Sequence, residues 1–403
     1  MRVLFAVIVS VLVSGCHTGP CAKDARTTFA KESLQEYIDS GELPGAISVF
    51  YDNGIQETCC LGFADVEDKR PLTLESAYMQ CSQTKGFCGV CIAQLVERGV
   101  ISLDDCVSKY LPEFEDLWIL AEDTNGVRRL VKAKNALTIR MCLNHTGGLP
   151  FELANFRAMG GWSRRMPLRS VAATAAAAPI LFEPGTKARY SNVGIDIGAA
   201  VVEKVSGTRW EDYLRENVLD PLEMDDTGFW PSDDQLADKI ELYEVSCGRK
   251  AVWRPDHPSM QCPYNDDRVF PSAGAGLWTT AADQLKFYKM LMNLGVGENG
   301  VRILNDETVM SLLAVSTRPQ GLGGYSLGLG APEKDAEDAW FGHGGARGTQ
   351  CMVNWHKRQL RMFVVQCVGD CSRYRDVSSE AAGRFFKASS DTSCVDTYTG
   401  RME

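Results

Sequence analysis

Strand-like segments lie at both ends of this chain, and helical segments fill its middle. Ala46-Ile47-Ser48-Val49-Phe50-Tyr51 is rich in β-branched and aromatic residues, and Asp52-Asn53-Gly54 is a hairpin turn signal before a second strand around 55–63. Several short strands recur up to residue 367, after a helix expected over 280–294. Between them, apolar spacing predicts helices over 82–97, 137–144, 168–178, 192–205 and 209–218. Gly99 fits a C-cap for the first of these, and Pro179 stops the Ala-rich third. Helices at 24–40 and 375–387 bracket the whole. The simplest packing is α+β: one antiparallel sheet assembled from both ends, with flanking helices and an inserted, mainly helical lobe. The expected division is an α/β lobe from 24–80 and 272–388, a helical lobe over 81–271, and a polar tail over 389–403. No repeat or low-complexity linker breaks the chain into independent domains.

The first residues speak to the compartment. Arg2 precedes the apolar run Val3 to Val13, which is too short to span a bilayer, and Ser14 and Gly15 follow. This is a signal-peptide layout over 1–15. Val13-Ser14-Gly15-Cys16 also resembles a bacterial lipobox, which implies lipidation of Cys16. The expectation is an exported protein, periplasmic or at the cell surface, anchored by lipid to a bacterial membrane. Ordinary cleavage nearby, leaving a soluble exported protein, is the alternative. A formal charge of -10 argues against nucleic acid as a partner, since a binder needs a basic footprint.

Export would place the other cysteines in an oxidising setting. Cys247 and Cys262 flank a Pro-rich loop and form the first candidate disulfide, with Cys367 and Cys371 the second. Adjacent Cys59 and Cys60 would point to opposite faces of a strand.

Three elements carry possible chemistry. In Ser82-Gln83-Thr84-Lys85 the serine and lysine fall on one helix face. A desolvated lysine amine can take the proton of a serine nucleophile, and the Ser82 N–H at the helix start can help hold an oxyanion. The plainer reading is an N-cap serine and a surface lysine. In Tyr190-Ser191-Asn192, an ammonium beside Tyr190 would lower its pKa, fitting it as general base and acid, and Asn192 can donate to a substrate carbonyl. In His343-Gly344-Gly345-Ala346, the glycines let a substrate lie along a strand edge, the Ala346 N–H is a second oxyanion donor, and His343 can bind a carboxylate or pair with Tyr190. Each triplet also has a simple turn reading.

Their order and surroundings are specific. Leu43-Pro44-Gly45-Ala46 precedes the first strand, and Gln94-Leu95-Val96-Glu97-Arg98-Gly99 follows the serine–lysine pair. Leu103-Asp104-Asp105, Tyr110-Leu111-Pro112-Glu113-Phe114 and Leu137-Thr138-Ile139-Arg140 come next. Asn144-His145-Thr146-Gly147-Gly148-Leu149-Pro150 and Glu183-Pro184-Gly185-Thr186 lead to Tyr190. Pro221-Leu222-Glu223-Met224, Gly274-Ala275-Gly276-Leu277, Thr280-Ala281-Ala282-Asp283 and Phe341-Gly342-His343-Gly344-Gly345 complete the series. Over about residues 25–388 the chain resembles the serine β-lactamase-related family, which includes class C β-lactamases, D-alanyl-D-alanine carboxypeptidases, D-aminopeptidases and carboxylesterases. The resemblance implies a β-lactamase/transpeptidase-like fold with the active site between the lobes. It implies Ser82 as acylated nucleophile, Lys85 and Tyr190 as the proton-transfer pair, and Asn192 as substrate contact. His343 falls where class C β-lactamases have lysine, which weakens the case for binding a β-lactam carboxylate. Cys81 replaces the usual small residue before the nucleophile. The implied activity is hydrolysis of an ester or amide: a D-amino-acid peptide, a β-lactam or a carboxylic ester.

Other readings fit less well. Cys88-Gly89-Val90-Cys91 falls inside the nucleophile helix, where cysteine serves as core filling rather than as a redox or metal motif. A Ser-His-Asp triad built on His145 has no support in the spacing. Acyl transfer by a serine requires no metal and no cofactor. The alternative from another class is a catalytically silent binding or sensor lipoprotein with the same fold.

Overall fold

The computed structural model describes residues 28–122, 125–153, 166–255 and 270–390. The central sheet contains β1 (Gly45–Asp52), β2 (Ile55–Asp65), β3 (Arg70–Pro71), β4 (Phe341–Gly345), β5 (Thr349–Asn354) and β6 (Gln359–Val364), in the order β4-β5-β6-β1-β2-β3. Every neighbouring pair is antiparallel. The two ends of the chain join where β1 pairs with β6, with Val49 opposite Met362. The β1–β2 turn needs positive φ at Asn53 (+45°) and Gly54 (+102°), the conformations that Asn and Gly adopt most readily.

Alternation along β1 sends Ile47 and Val49 into one hydrophobic core and Ala46 and Phe50 into another. The second core is closed by α1 (Phe29–Asp39) and by the C-terminal helix Ser372–Ser390, through Leu34, Tyr374 and Phe385. Cys59 and Cys60 separate in the same way, Cys59 to the second core and Cys60 against the first.

The first core continues into the helical region around α2 (Thr84–Glu97), α3 (Asn192–Ser206) and α4 (Ala281–Met292). Helix α2 is buried on almost every side, so its composition is apolar throughout rather than striped. Phe87 stacks on Phe287 with ring centres 3.8 Å apart, which ties α2 to α4 and hence to the sheet. Small residues let α3 approach the helix Ile139–Leu143 closely. A Cβ added at Gly194 would sit 2.5 Å from Cys142 O, and one at Gly198 would sit 2.9 Å from Leu143 Cδ2. Cys88 and Cys91 are fully buried in this packing. Among the described residues, no cluster of three or more His, Cys, Asp or Glu could hold a metal ion.

Two details depart from the sequence expectations. Ser82 lies in a 3-10 turn, Cys81–Gln83, with the α-helix proper starting at Thr84. The middle of the chain also contains strands: Trp118–Glu122 pairs with Arg128–Lys132, and Tyr243–Val245 runs parallel to Cys367–Gly369. The second pairing joins segments far apart in sequence, which local periodicity does not register.

The expected Cys367–Cys371 disulfide is not formed; both are free thiols, and the Cys371 side chain hydrogen-bonds that of Cys367. Cys247 is likewise free and exposed, with Arg373 donating to its sulfur, while Cys262 lies outside the described residues. The signal segment 1–15, Cys16 and most of the tail, 391–403, also lie outside them.

Candidate active site

Three distant segments meet in one cleft. The first is the turn into α2. Cys81 adopts φ +52°, a left-handed conformation that costs a non-glycine residue about 1 kcal/mol. Lys85, one turn further on, is fully buried. Its Nζ lies 3.1 Å from Ser82 Oγ and 2.7 Å from Asn192 Oδ1, and it also bonds Gly274 O. Burial pulls its pKa down to about 7, against the opposing pull of Asp196 and Cys81. A neutral amine has two N–H bonds and one lone pair. Carbonyl oxygens can only accept, so Asn192 Oδ1 and Gly274 O take the two N–H bonds. The lone pair is left for the Ser82 hydroxyl.

The second segment is Tyr190-Ser191-Asn192. Ser191 is the N-cap of α3: its Oγ accepts from Gly194 N at 3.0 Å and donates to Pro150 O at 2.6 Å. The cap places Asn192 at the first helical position, facing Lys85, with Tyr190 just outside the helix. Lys85 Nζ lies over the Tyr190 ring, 4.6 Å from its centre. Burial pushes the Tyr190 phenol up to about 12, opposite in direction to the sequence expectation. Desolvation outweighs the opposing hydrogen bonds with Ser82 and Tyr325.

The third segment is β4. Gly345 lies against the nucleophile turn, and a Cβ there would stand 2.5 Å from Gln80 O. Only glycine permits this approach, which brings the end of β4, with Gly344 and the following Ala346, to the Ser82 turn. His343 donates from Nδ1 to Gly344 O, which leaves Nε2 as an acceptor. Tyr325 Oη donates to that Nε2 at 2.8 Å, whereas Tyr190 Oη is 3.5 Å away. Burial and the nearby Lys85 drive the His343 pKa down to about 3. The ring is therefore neutral, with its acceptor already engaged, and the expected carboxylate contact lacks a cation. The pairing with Tyr190 is long, and Tyr325 is the closer partner.

Ser82, Lys85, Tyr190, Asn192 and His343 are thus brought together. Sequence reasoning missed four contributors: His145, Asp196, Gly274 and Tyr325. His145, set aside as a triad histidine, packs its ring 4.5 Å from both Tyr190 and Tyr325 and accepts from Ser191 N. It belongs to the cleft wall, and burial holds it well below the usual histidine range. Asp196 carried one sequence signal: it follows Asn192 by four residues and so shares its helix face. Nothing local marks Tyr325.

This sheet, helical region and cleft define a β-lactamase/transpeptidase-like protein. The chain belongs to the Beta-lactamase family, whose model matches residues 30–365. It is 29% identical over 282 residues to Protein Rv1367c of Mycobacterium tuberculosis, covering 69% of each chain. Among solved structures it is similar to EstCE1, a hydrolase with promiscuous acyltransferase activity, with a TM-score of 0.68 and 23% identity over 88% of this chain and 97% of that one. It is also similar to simvastatin synthase from Aspergillus terreus, with a TM-score of 0.72 and 20% identity over 90% of this chain and 98% of that one.

Proposed function

We propose that the protein hydrolyses an ester or amide through a Ser82 acyl-enzyme and prefers uncharged carboxylic esters. The observation that carries this reading is the Lys85 amine: buried, poised near pH 7, and held by two acceptors so that its lone pair meets Ser82 Oγ. Ser82 passes its proton to Lys85 as Oγ attacks the substrate carbonyl carbon. The N–H groups of Ser82 and Ala346 hold the resulting oxyanion. Lys85, with the Tyr190 hydroxyl beside it, returns the proton to the leaving group, and water then cleaves the acyl-enzyme. Asn192 Nδ2, its Oδ1 being engaged by Lys85, donates to the substrate.

The substrate preference rests on His343. A neutral ring whose Nε2 accepts from Tyr325 offers no attraction to the carboxylate of a β-lactam or of a D-peptide C-terminus. The promiscuous acyltransferase activity named for EstCE1 fits the same chemistry.

A fluorophosphonate probe with intact-protein mass spectrometry tests the nucleophile; one adduct is expected, absent in Ser82→Ala. A panel of neutral esters, D-peptides and β-lactams tests the substrate class. Absence of both adduct and turnover would favour a silent binding protein instead.

We further propose that the protein is exported and lipidated at Cys16, on the strength of the apolar run ending in Ser14-Gly15-Cys16.

A further inference from the structure

Asp196 is a buried carboxylate with no place in the acyl-transfer scheme above. It projects from α3 one turn after Asn192 and is only 4% exposed. Its Oδ1 accepts from Gly274 N at 3.1 Å and from Ser272 Oγ at 3.1 Å. Gly274 is the residue whose carbonyl binds Lys85 Nζ. The loop is therefore pinned on both sides of the Gly274 Cα, by Asp196 at its N–H and by Lys85 at its C=O. A Cβ at Gly274 would sit 2.8 Å from Asn192 Cβ, so the loop lies flat on α3 at this point. A carboxylate buried this deeply is costly unless a cation compensates it.

We propose that Asp196 is a positioning residue: it fixes the Gly274 carbonyl that orients Lys85, and it is the buried counter-charge to the Lys85 ammonium. The proposal rests on Lys85 acting as the base.

The titratable groups facing Lys85 are few. Cys81 lies on its own turn, Asp196 and Tyr190 face it from α3 and the preceding segment, and His145 and His343 from the opposite wall. Both histidines are held neutral. Asp196 in turn faces Lys85 and the Cys88 thiol of α2. Asp196 is therefore the facing group whose charge favours the ammonium most. Burial lifts its own pKa to about 7, against the hydrogen bonds of Gly274 and Ser272 and the charge of Lys85.

The test separates charge from support. Asp196→Asn keeps an Oδ1 acceptor for Gly274 and Ser272 but removes the charge. Protein labelled with [13Cε]lysine reports the Lys85 titration directly, the signal being assigned by its loss in Lys85→Met. The expected result is a Lys85 midpoint in Asp196→Asn lower by one pH unit or more, with the rising limb of fluorophosphonate labelling shifted by the same amount. An unchanged midpoint overturns the proposal and leaves Asp196 a structural ligand of the loop. If Asp196→Asn fails to fold, the reciprocal measurement decides: the [13Cγ]Asp196 midpoint is expected to rise by at least one unit in Lys85→Met, and constancy overturns the proposal. A shifted lysine midpoint in a protein that labels with no probe would uphold the pairing and overturn the hydrolase reading. Labelling with an unshifted midpoint would do the reverse.

Discussion

The Lys85 nitrogen sits over the face of the Tyr190 ring, 4.6 Å from its centre, while its hydrogen bonds go to Ser82, Asn192 and Gly274. This arrangement divides the proton chemistry between the two side chains. Lys85 is pulled down to about 7 and Tyr190 is pushed up to about 12, so the lysine titrates in the working range and the tyrosine stays protonated. A base works only when deprotonated. The value of kcat/KM for a neutral ester should therefore rise with pH through about 7 and stay flat to about pH 10, measured in buffers of constant ionic strength. A limb near pH 4 would point to a carboxylate base instead.

Loss of proton transfer should be severe. Lys85→Met is expected to lower kcat/KM by about 10³-fold or more, and Tyr190→Phe by about 10²-fold, the usual range for a positioned acid or base. Steady-state kinetics on a p-nitrophenyl ester, with circular dichroism to verify folding, checks both.

Tyr325 supplies the hydrogen bond that engages His343 Nε2 at 2.8 Å. Tyr325→Phe leaves a buried acceptor unpaired, which costs about 1–3 kcal/mol. Urea denaturation should show the loss as a lower midpoint with an unchanged slope.

The close contacts of α2 predict opposite outcomes for two glycines. A Cβ at Gly89 would stand 1.8 Å from Leu327 O, whereas one at Gly383 meets nothing within 4 Å. Gly89→Ala should destabilise by about 1–3 kcal/mol or more through overpacking. Gly383→Ala, in the C-terminal helix, should stabilise by about 0.5–1 kcal/mol. Denaturant midpoints of the two variants, compared with the parent, decide.

Lipid anchoring predicts that Cys16→Ser moves the protein from the membrane fraction to the aqueous fraction and abolishes labelling by a clickable fatty acid. Retention in the membrane by an unlabelled variant would show another mode of attachment.

The alternation in β1, the Asn53-Gly54 turn and the ordered segments around Ser82, Tyr190 and His343 are all visible in the linear sequence. Local periodicity and short-range spacing encode them, because a strand alternates and a helix repeats whatever it packs against. The Tyr243–Val245 strand escaped notice because its partner, Cys367–Gly369, is more than a hundred residues away.

The sequence by itself determined the main helices and the β1–β2 hairpin, that both chain ends share one sheet, and which side chains are candidates to carry the reactive groups. Only the tertiary structure decided their charge states and partners. Asn192 and Gly274 reach Lys85 from 107 and 189 positions away, and the dry core around α2 lowers its proton affinity. The same burial raises Tyr190, keeps His343 neutral and binds it to Tyr325. Desolvation depends on every atom packed around a group, and those atoms come together only when the chain folds.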